Sequence, residues 1–182
     1  EMAQEENYQG VIAIVPPFEY CEIEDILETA KNKNEDPFVL ILDGIEDPHN
    51  LGAIIRTSEA AGVSGIIIPK DRGVSINATV IKTSTGAIDN IPISMVTNLS
   101  NTISDLKKNG FWIVGTDMVN STDYREIDYS GKIALVIGNE GSGMSRMVRE
   151  SCDFIASIPM YGEVNSLNAS VAAAIILFEA RR

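Results

Sequence analysis

Three short segments of this chain concentrate residues able to do chemistry. The first reads Asp43-Gly44-Ile45-Glu46-Asp47-Pro48-His49-Asn50-Leu51-Gly52 and is followed, after three apolar residues, by Arg56-Thr57. A guanidinium set in a small, apolar stretch offers a planar fork of donors that suits phosphate. Asp47 or Asn50 would also cap a helix beginning here. Arg56 is expected on the first turns of that helix, facing the crevice above a sheet. His49, the single histidine, reads as a turn residue. The second segment is Ile137-Gly138-Asn139-Glu140-Gly141-Ser142-Gly143. Its glycines let backbone approach a ligand closely, but their order reverses the dinucleotide fingerprint. Glu140 would favour a helix dipole and would repel a pyrophosphate, which speaks against NAD. The third segment runs from Ile158 through Pro159-Met160-Tyr161-Gly162-Glu163-Val164 to Asn165-Ser166-Leu167-Asn168-Ala169-Ser170. Ser166 is the expected N-cap of the last helix. Two asparagines and two serines so close together exceed what capping needs, and they offer hydrogen bonds to a polar ligand.

Each segment follows a predicted strand, which is where open α/β sheets bind ligands. Short β-branched runs at 38–42, 65–69, 93–96, 111–115, 133–137 and 154–158 read as buried parallel strands. A further strand is expected at 11–15. Helices are expected at 22–33, 51–61, 77–83, 99–109, 144–150 and 167–180. In the last, Leu167, Val171, Ala174, Ile175 and Phe178 share one face and are expected in the core. Ala172, Ala173, Ile176 and Leu177 would then form a second apolar face for a partner. Alternating strands and helices predict an open parallel sheet with helices on both faces. Residues 120–131 form a long polar loop with Tyr124 and Tyr129, either a plain connection or a lid.

The chain carries 26 acidic against 14 basic residues, a net charge of −12. That balance favours a small-molecule enzyme over a nucleic-acid binder, unless basic residues such as Lys70, Arg72 and Lys82 cluster. No apolar run reaches the roughly 18 residues of a membrane span, and the polar, acidic start is no secretory signal. Glu1 before Met2 points to a piece of a longer chain. Cys21 and Cys152 lie far apart without metal-ligand spacing, so buried free thiols in a cytoplasmic protein are expected and no metal site is.

Taken in order and with their separations, the three segments resemble the three motifs of the SpoU family of RNA ribose 2′-O-methyltransferases. The resemblance covers about residue 38 to the C-terminus. Lys82-Thr83-Ser84-Thr85-Gly86-Ala87 and Gly115-Thr116-Asp117 are similar to that family as well. Gln9-Gly10-Val11-Ile12-Ala13 and the Asp47-Pro48-His49-Asn50-Leu51-Gly52 form resemble the bacterial branch that methylates a guanosine of large-subunit ribosomal RNA. The resemblance implies a C-terminal trefoil knot, S-adenosylmethionine as cofactor, and a homodimer with each site near the subunit interface. It implies cofactor contacts at Thr116, Gly138, Ile158, Ser166 and Leu167. It implies a catalytic site of Asn50, Arg56, Glu140, Ser166 and Asn168, with Glu140 and Asn50 holding Arg56. Residues 37–182 would be the catalytic domain and 1–36 an extension and linker, the RNA-binding domain common upstream in this branch lying outside the chain. A transfer RNA methyltransferase, or a non-catalytic RNA-binding assembly factor on the same fold, is the alternative.

Overall fold

The computed structural model describes residues 16–182, so the strand expected at 11–15 lies outside the described residues. Among the described residues, seven strands form one parallel sheet: β1 (Phe38–Asp43), β2 (Gly65–Pro69), β3 (Ile93–Val96), β4 (Trp112–Thr116), β5 (Thr122–Asp123), β6 (Ile133–Gly138) and β7 (Phe154–Ser157). Their spatial order is β3-β2-β1-β6-β4-β7-β5. β1 and β6 occupy the middle, paired from Phe38 with Ile133 to Asp43 with Gly138. Every residue of both strands is buried. This is why they read as unbroken apolar runs and not as alternating ones.

Among the described residues, six helices cover the two faces: α1 (Ile23–Asn32), α2 (Pro48–Ala60), α3 (Ala78–Ser84), α4 (Leu99–Lys108), α5 (Arg146–Glu150) and α6 (Ala169–Ala180). One core packs Leu51, Ile54 and Ile55 of α2, Val80 of α3, and Ile176 and Leu177 of α6 against Leu40, Leu42, Ile66 and Leu135. The other packs Ile26 of α1, Ile103 and Leu106 of α4 and Val148 of α5 against Val39, Ile41, Ile67 and Val136. The sheet is therefore sandwiched as expected. α1 falls within the expected extension 1–36, yet it closes on the sheet so tightly that a Cβ on Gly65 would lie 2.6 Å from the Ile26 side chain.

Local chemistry moves two helix starts. α2 begins three residues earlier than expected, because Asp47 caps it by accepting the His49 amide at 2.8 Å and Pro48 supplies a preset φ in the first turn. α6 begins later, at Ala169. Its cap is Asn168, whose Oδ1 accepts from the Ser170 amide at 2.9 Å, and not Ser166. The faces of α6 are also opposite to expectation. Ala173, Ile176 and Leu177 are buried, Val171 and Phe178 are 47% and 56% exposed, and Ala174 and Ile175 are half-buried. A helix that is apolar all round carries no polar stripe to choose its face.

Residues 120–131 are not a bare loop. They contain β5, a short 3-10 turn at Tyr124–Glu126, and the Tyr124, Ile127 and Tyr129 side chains packed on the core. The Tyr129 hydroxyl donates to the Tyr124 carbonyl at 2.9 Å. β7 inserts between β4 and β5, although those two strands are consecutive in sequence. The chain reaches β7 from α5 on one face and leaves it for α6 on the other. Cys21 and Cys152 are free and partly buried. Burial, with Asp153 beside it, pushes the Cys152 thiol up to about 12. Among the described residues no helix is long and apolar enough to cross a membrane.

Candidate functional site

The carboxyl ends of β4, β6 and β7 open onto a crevice of about 520 Å³ that the start of α6 also walls. That volume falls in the usual range of small-molecule sites. Thr116, Gly138, Ile158, Ser166 and Leu167, the expected cofactor contacts, all line it, as does Glu140. Thr116 donates its hydroxyl to the Val136 carbonyl at 3.0 Å, which fixes the floor between β4 and β6.

The glycine-rich segment is a tight hairpin. Asn139 and Gly143 exchange backbone hydrogen bonds at 3.0 and 2.9 Å. The Asn139 Oδ1 accepts the Gly141 and Ser142 amides at 2.8 and 3.1 Å, and its Nδ2 donates to the Gly44 carbonyl at 2.8 Å. Gly138 is required by contact: a Cβ there would run into the Gly143 and Met144 backbone. Below it, the buried Asp43 carboxylate accepts the Ser145 amide at 2.6 Å. Asn139 and Asp43 were not among the expected site residues. Asn139 could have been found from its place two residues before Gly141, the spacing at which an asparagine side chain closes a turn on backbone amides.

Glu140, Asn50 and Asn168 meet at the hairpin's edge. The Asn50 Nδ2 donates to Glu140 Oε1 at 2.6 Å, and the Asn168 Nδ2 donates to Asn50 Oδ1 at 3.0 Å. Asn168 meanwhile accepts the Ser170 hydroxyl at 2.6 Å. One side chain from each segment therefore joins a single hydrogen-bonded row. Its polarity is fixed, because an ionised carboxylate only accepts and so turns the Asn50 amide nitrogen toward itself. Ser166 stands apart on the crevice wall, its hydroxyl 3.5 Å from the Asn165 side-chain oxygen.

Arg56 departs from expectation. It lies six residues beyond Asn50, roughly 9 Å farther along the helix axis. It is exposed and does not line the crevice. Asn50 and Glu140 bond each other and do not hold it. Six helical residues turn about 600°, so the two side chains leave different sides of α2.

The opposite wall of the crevice has a clamp with no counterpart in the sequence reading. Arg149 of α5 donates from Nε to Asp117 Oδ2 at 2.8 Å and from its second terminal nitrogen to the Val119 carbonyl at 2.6 Å. Burial pushes the Asp117 carboxyl up, but the Val119 amide and Arg149 outweigh it and hold the group below its ordinary value.

The charged residues on the crevice wall, among the described ones, are Asp117 and Glu140, both acidic. With Asp117 paired to Arg149, Glu140 is the carboxylate left to face a ligand, and it suits a cationic centre beside an apolar body, for which Ile137, Ile158, Leu167 and Ile176 provide the surface. No group of three or more His, Cys, Asp or Glu side chains that could hold a metal occurs among the described residues.

A parallel α/β sheet, a glycine hairpin and a three-segment polar row at the strand ends define an enzyme-like small-molecule site. Comparison with known proteins specifies it. The family model of the SpoU rRNA methylases matches residues 37–178. A Staphylococcus saprophyticus protein bearing the name TrmH family tRNA/rRNA methyltransferase is 56% identical over 175 residues, which cover 96% of this chain and 70% of that protein. The Bacillus subtilis YacO protein, bearing the same family name, is 53% identical over 97% of this chain and 71% of its own length. Among solved structures, the AdoMet-bound rRNA methyltransferase of Sinorhizobium meliloti superposes with a TM-score of 0.75 and 37% identity, over 80% of this chain and 56% of that one. The SpoU methyltransferase AviRb of Streptomyces viridochromogenes, in complex with AdoMet, gives 0.74 and 32%, over 80% and 57%. This chain thus spans little more than half the length of those two solved chains. It belongs to the SpoU rRNA methylase family.

Proposed function

We propose that the protein transfers a methyl group from S-adenosylmethionine to a ribose 2′-hydroxyl of RNA, with a guanosine of large-subunit ribosomal RNA as the target. The observation that carries this reading is the Glu140–Asn50–Asn168 row at the edge of an acidic, apolar-walled crevice. When bound there, S-adenosylmethionine supplies an electrophilic methyl on a sulfonium. Thr116, Gly138, Ile158, Ser166 and Leu167, which line the crevice, would hold it, and the Glu140 carboxylate would favour a cationic ligand there. The row made by Asn50, Glu140 and Asn168 fixes the reacting ribose, so that orientation and exclusion of water lower the barrier. Arginine stays protonated at any working pH. Arg56 is therefore a phosphate ligand and stabiliser of the developing alkoxide and not a base, and the hydroxyl proton leaves to Glu140, to a substrate phosphate or to water.

The exposure of Arg56 supports a homodimer. α2 and α6 pack against each other, and the exposed Val171 and Phe178 of α6 form an apolar surface of the kind that marks a contact. Since Arg56 is exposed and does not line its own crevice, we propose that in such a dimer it acts at the crevice of the other subunit. Phe178→Glu is expected to turn a dimer into a monomer in sedimentation, and a wild type that sediments as a monomer at micromolar concentration removes this part of the reading. The insertion of β7 between β4 and β5 supports a trefoil knot, in which the C-terminal segment passes through the arc joining those strands. We assign residues 37–182 to the catalytic domain.

The test is methyl transfer to large-subunit ribosomal RNA and to transfer RNA in parallel, with the modified nucleotide mapped. A 2′-O-methylguanosine in the ribosomal RNA is expected. Transfer to tRNA alone corrects the substrate, and a methyl group on a base overturns the ribose assignment.

A further inference from the structure

We propose that Arg149 is a positioning residue for the cofactor: by clamping the turn at 117–119 it holds one wall of the crevice in binding shape. The proposal rests on the reading of the crevice as an S-adenosylmethionine site. Asp117, Met118 and Val119 all line that crevice. The turn leaves β4 with the Asp117 amide bonded to the Ala156 carbonyl of β7 at 3.1 Å. The Asp117 Oδ1 then accepts the Val119 amide at 3.0 Å, which closes the turn on itself. Arg149 reaches across from α5 and takes both ends of it, the Asp117 carboxylate at 2.8 Å and the Val119 carbonyl at 2.6 Å. A guanidinium can span two acceptors in this way because its donors form a rigid fork, which an ammonium lacks.

The tethered turn presents Met118 and Val119 to the crevice while leaving them 49% and 62% exposed. An exposed apolar ledge fixed at the mouth of a polar-floored pocket gains by being covered, and a ligand in the crevice covers it. Without the tether the ledge would be ordered only on binding, and that ordering would be subtracted from affinity. Arg149 itself does not line the crevice, so its effect passes through the turn.

Calorimetric titration of the full chain with S-adenosylmethionine and with S-adenosylhomocysteine tests this on Arg149→Met, Arg149→Lys, Asp117→Asn and the double variant Asp117→Asn/Arg149→Met. Arg149→Met should weaken both ligands about tenfold or more. Lysine should restore only part of the loss. The double variant should be no weaker than Arg149→Met, since both changes undo one clamp. In turnover, Arg149→Met should raise KM for S-adenosylmethionine and spare kcat at saturation. Hydrogen exchange of the Val119 amide should quicken in the ligand-free variant, a readout that needs no activity. Wild-type affinity in Arg149→Met, or losses that multiply in full in the double variant, would overturn the proposal alone. A wild type that binds neither ligand overturns the functional reading and the proposal with it.

Discussion

Replacing Asn50 by aspartate exchanges one donor for one acceptor at almost constant shape, and its consequences can be worked out from one distance. Asn50 Nδ2 sits 2.6 Å from Glu140 Oε1. In the variant two carboxylate oxygens face each other at that separation. Two unit charges so close repel by about 1.6 kcal/mol even at water's dielectric constant, and by several times more at a protein surface. Both side chains can swing outward, so the expected loss of stability at pH 7.5 is about 1–2 kcal/mol. A proton shared between the two oxygens removes the repulsion and makes a short O–H···O⁻ bond, whose usual length is about 2.5–2.7 Å. The pair's titration therefore moves above the ordinary carboxylate range of about 3.9–4.3 in the folded variant. The shared-proton contribution is complete below the ordinary range and is lost as pH rises through the raised value. Urea denaturation at pH 4.5 should then show Asn50→Asp close to wild type, and at pH 7.5 clearly below it. Asn50→Ala, which deletes both hydrogen bonds without adding charge, should lose about 1–2 kcal/mol at either pH. Methyl transfer by Asn50→Asp at pH 7.5 should fall about a hundredfold, since Glu140 is turned away from its place. A deficit for Asn50→Asp that does not change between the two pH values would refute the contact and the mechanism built on it.

Arg56→Ala should slow single-turnover methyl transfer by about a hundredfold to a thousandfold, with S-adenosylmethionine affinity unchanged, and Arg56→Lys should restore little; near-normal turnover would exclude Arg56 from the reaction. Gly52→Ala places a Cβ 2.6 Å from the Thr83 Cβ and 3.0 Å from the Val80 carbonyl, so α2 and α3 must separate. The gain in helix propensity, about 1 kcal/mol, is outweighed by overpacking, and chemical denaturation should show a net loss of roughly 1–2 kcal/mol; a stabilised variant would contradict the packing. Because burial raises the Cys152 thiol to about 12 from an ordinary 9.0, its contribution to stability is complete below pH 9 and is lost as pH rises toward 12. Cys152→Ala should accordingly lose less melting temperature than wild type between pH 8 and 10.5, and equal slopes would rule this out.

The strands were legible because a fully paired parallel strand tolerates little but β-branched and aliphatic residues. β2 and β3 fall where they were expected, and the central strands differ only at their ends. The polar row was legible as three separate segments but not as one contact. Asn50 and Glu140 are 90 residues apart and Asn50 and Asn168 are 118 apart, and neither pairing has a local pattern. The Arg149–Asp117 clamp has no local pattern either, since its partners lie 32 residues apart. Arg56 is expected at the crevice from its place on the early turns of α2 and from its match to the family motif. The six-residue step from Asn50 carries it down α2 and around to another side. For α6 the difficulty was physical degeneracy: from Ala169 to Phe178 Ser170 is the only polar residue, so both faces satisfied the same pattern.

The position of β7 also governs how this chain can reach its native state. A strand near the end of the sequence becomes interior to the sheet, between β4 and β5. Its slot is framed by residues that leave the ribosome well before it does. Val114 pairs with Phe154 and Thr122 with Ala156, so seating β7 closes two non-local loops, whose entropy must be met before the pairing stabilises them. During synthesis β4 and β5 have no strand between them, so their facing edges carry unpaired backbone groups, the kind of surface that invites intermolecular pairing. The sheet can be completed only after β7, which follows in sequence all the strands it joins, has been made. A bulky, stable domain fused after Arg182 should slow refolding far more than the same domain fused at the other end, although both fusions would have the same native core.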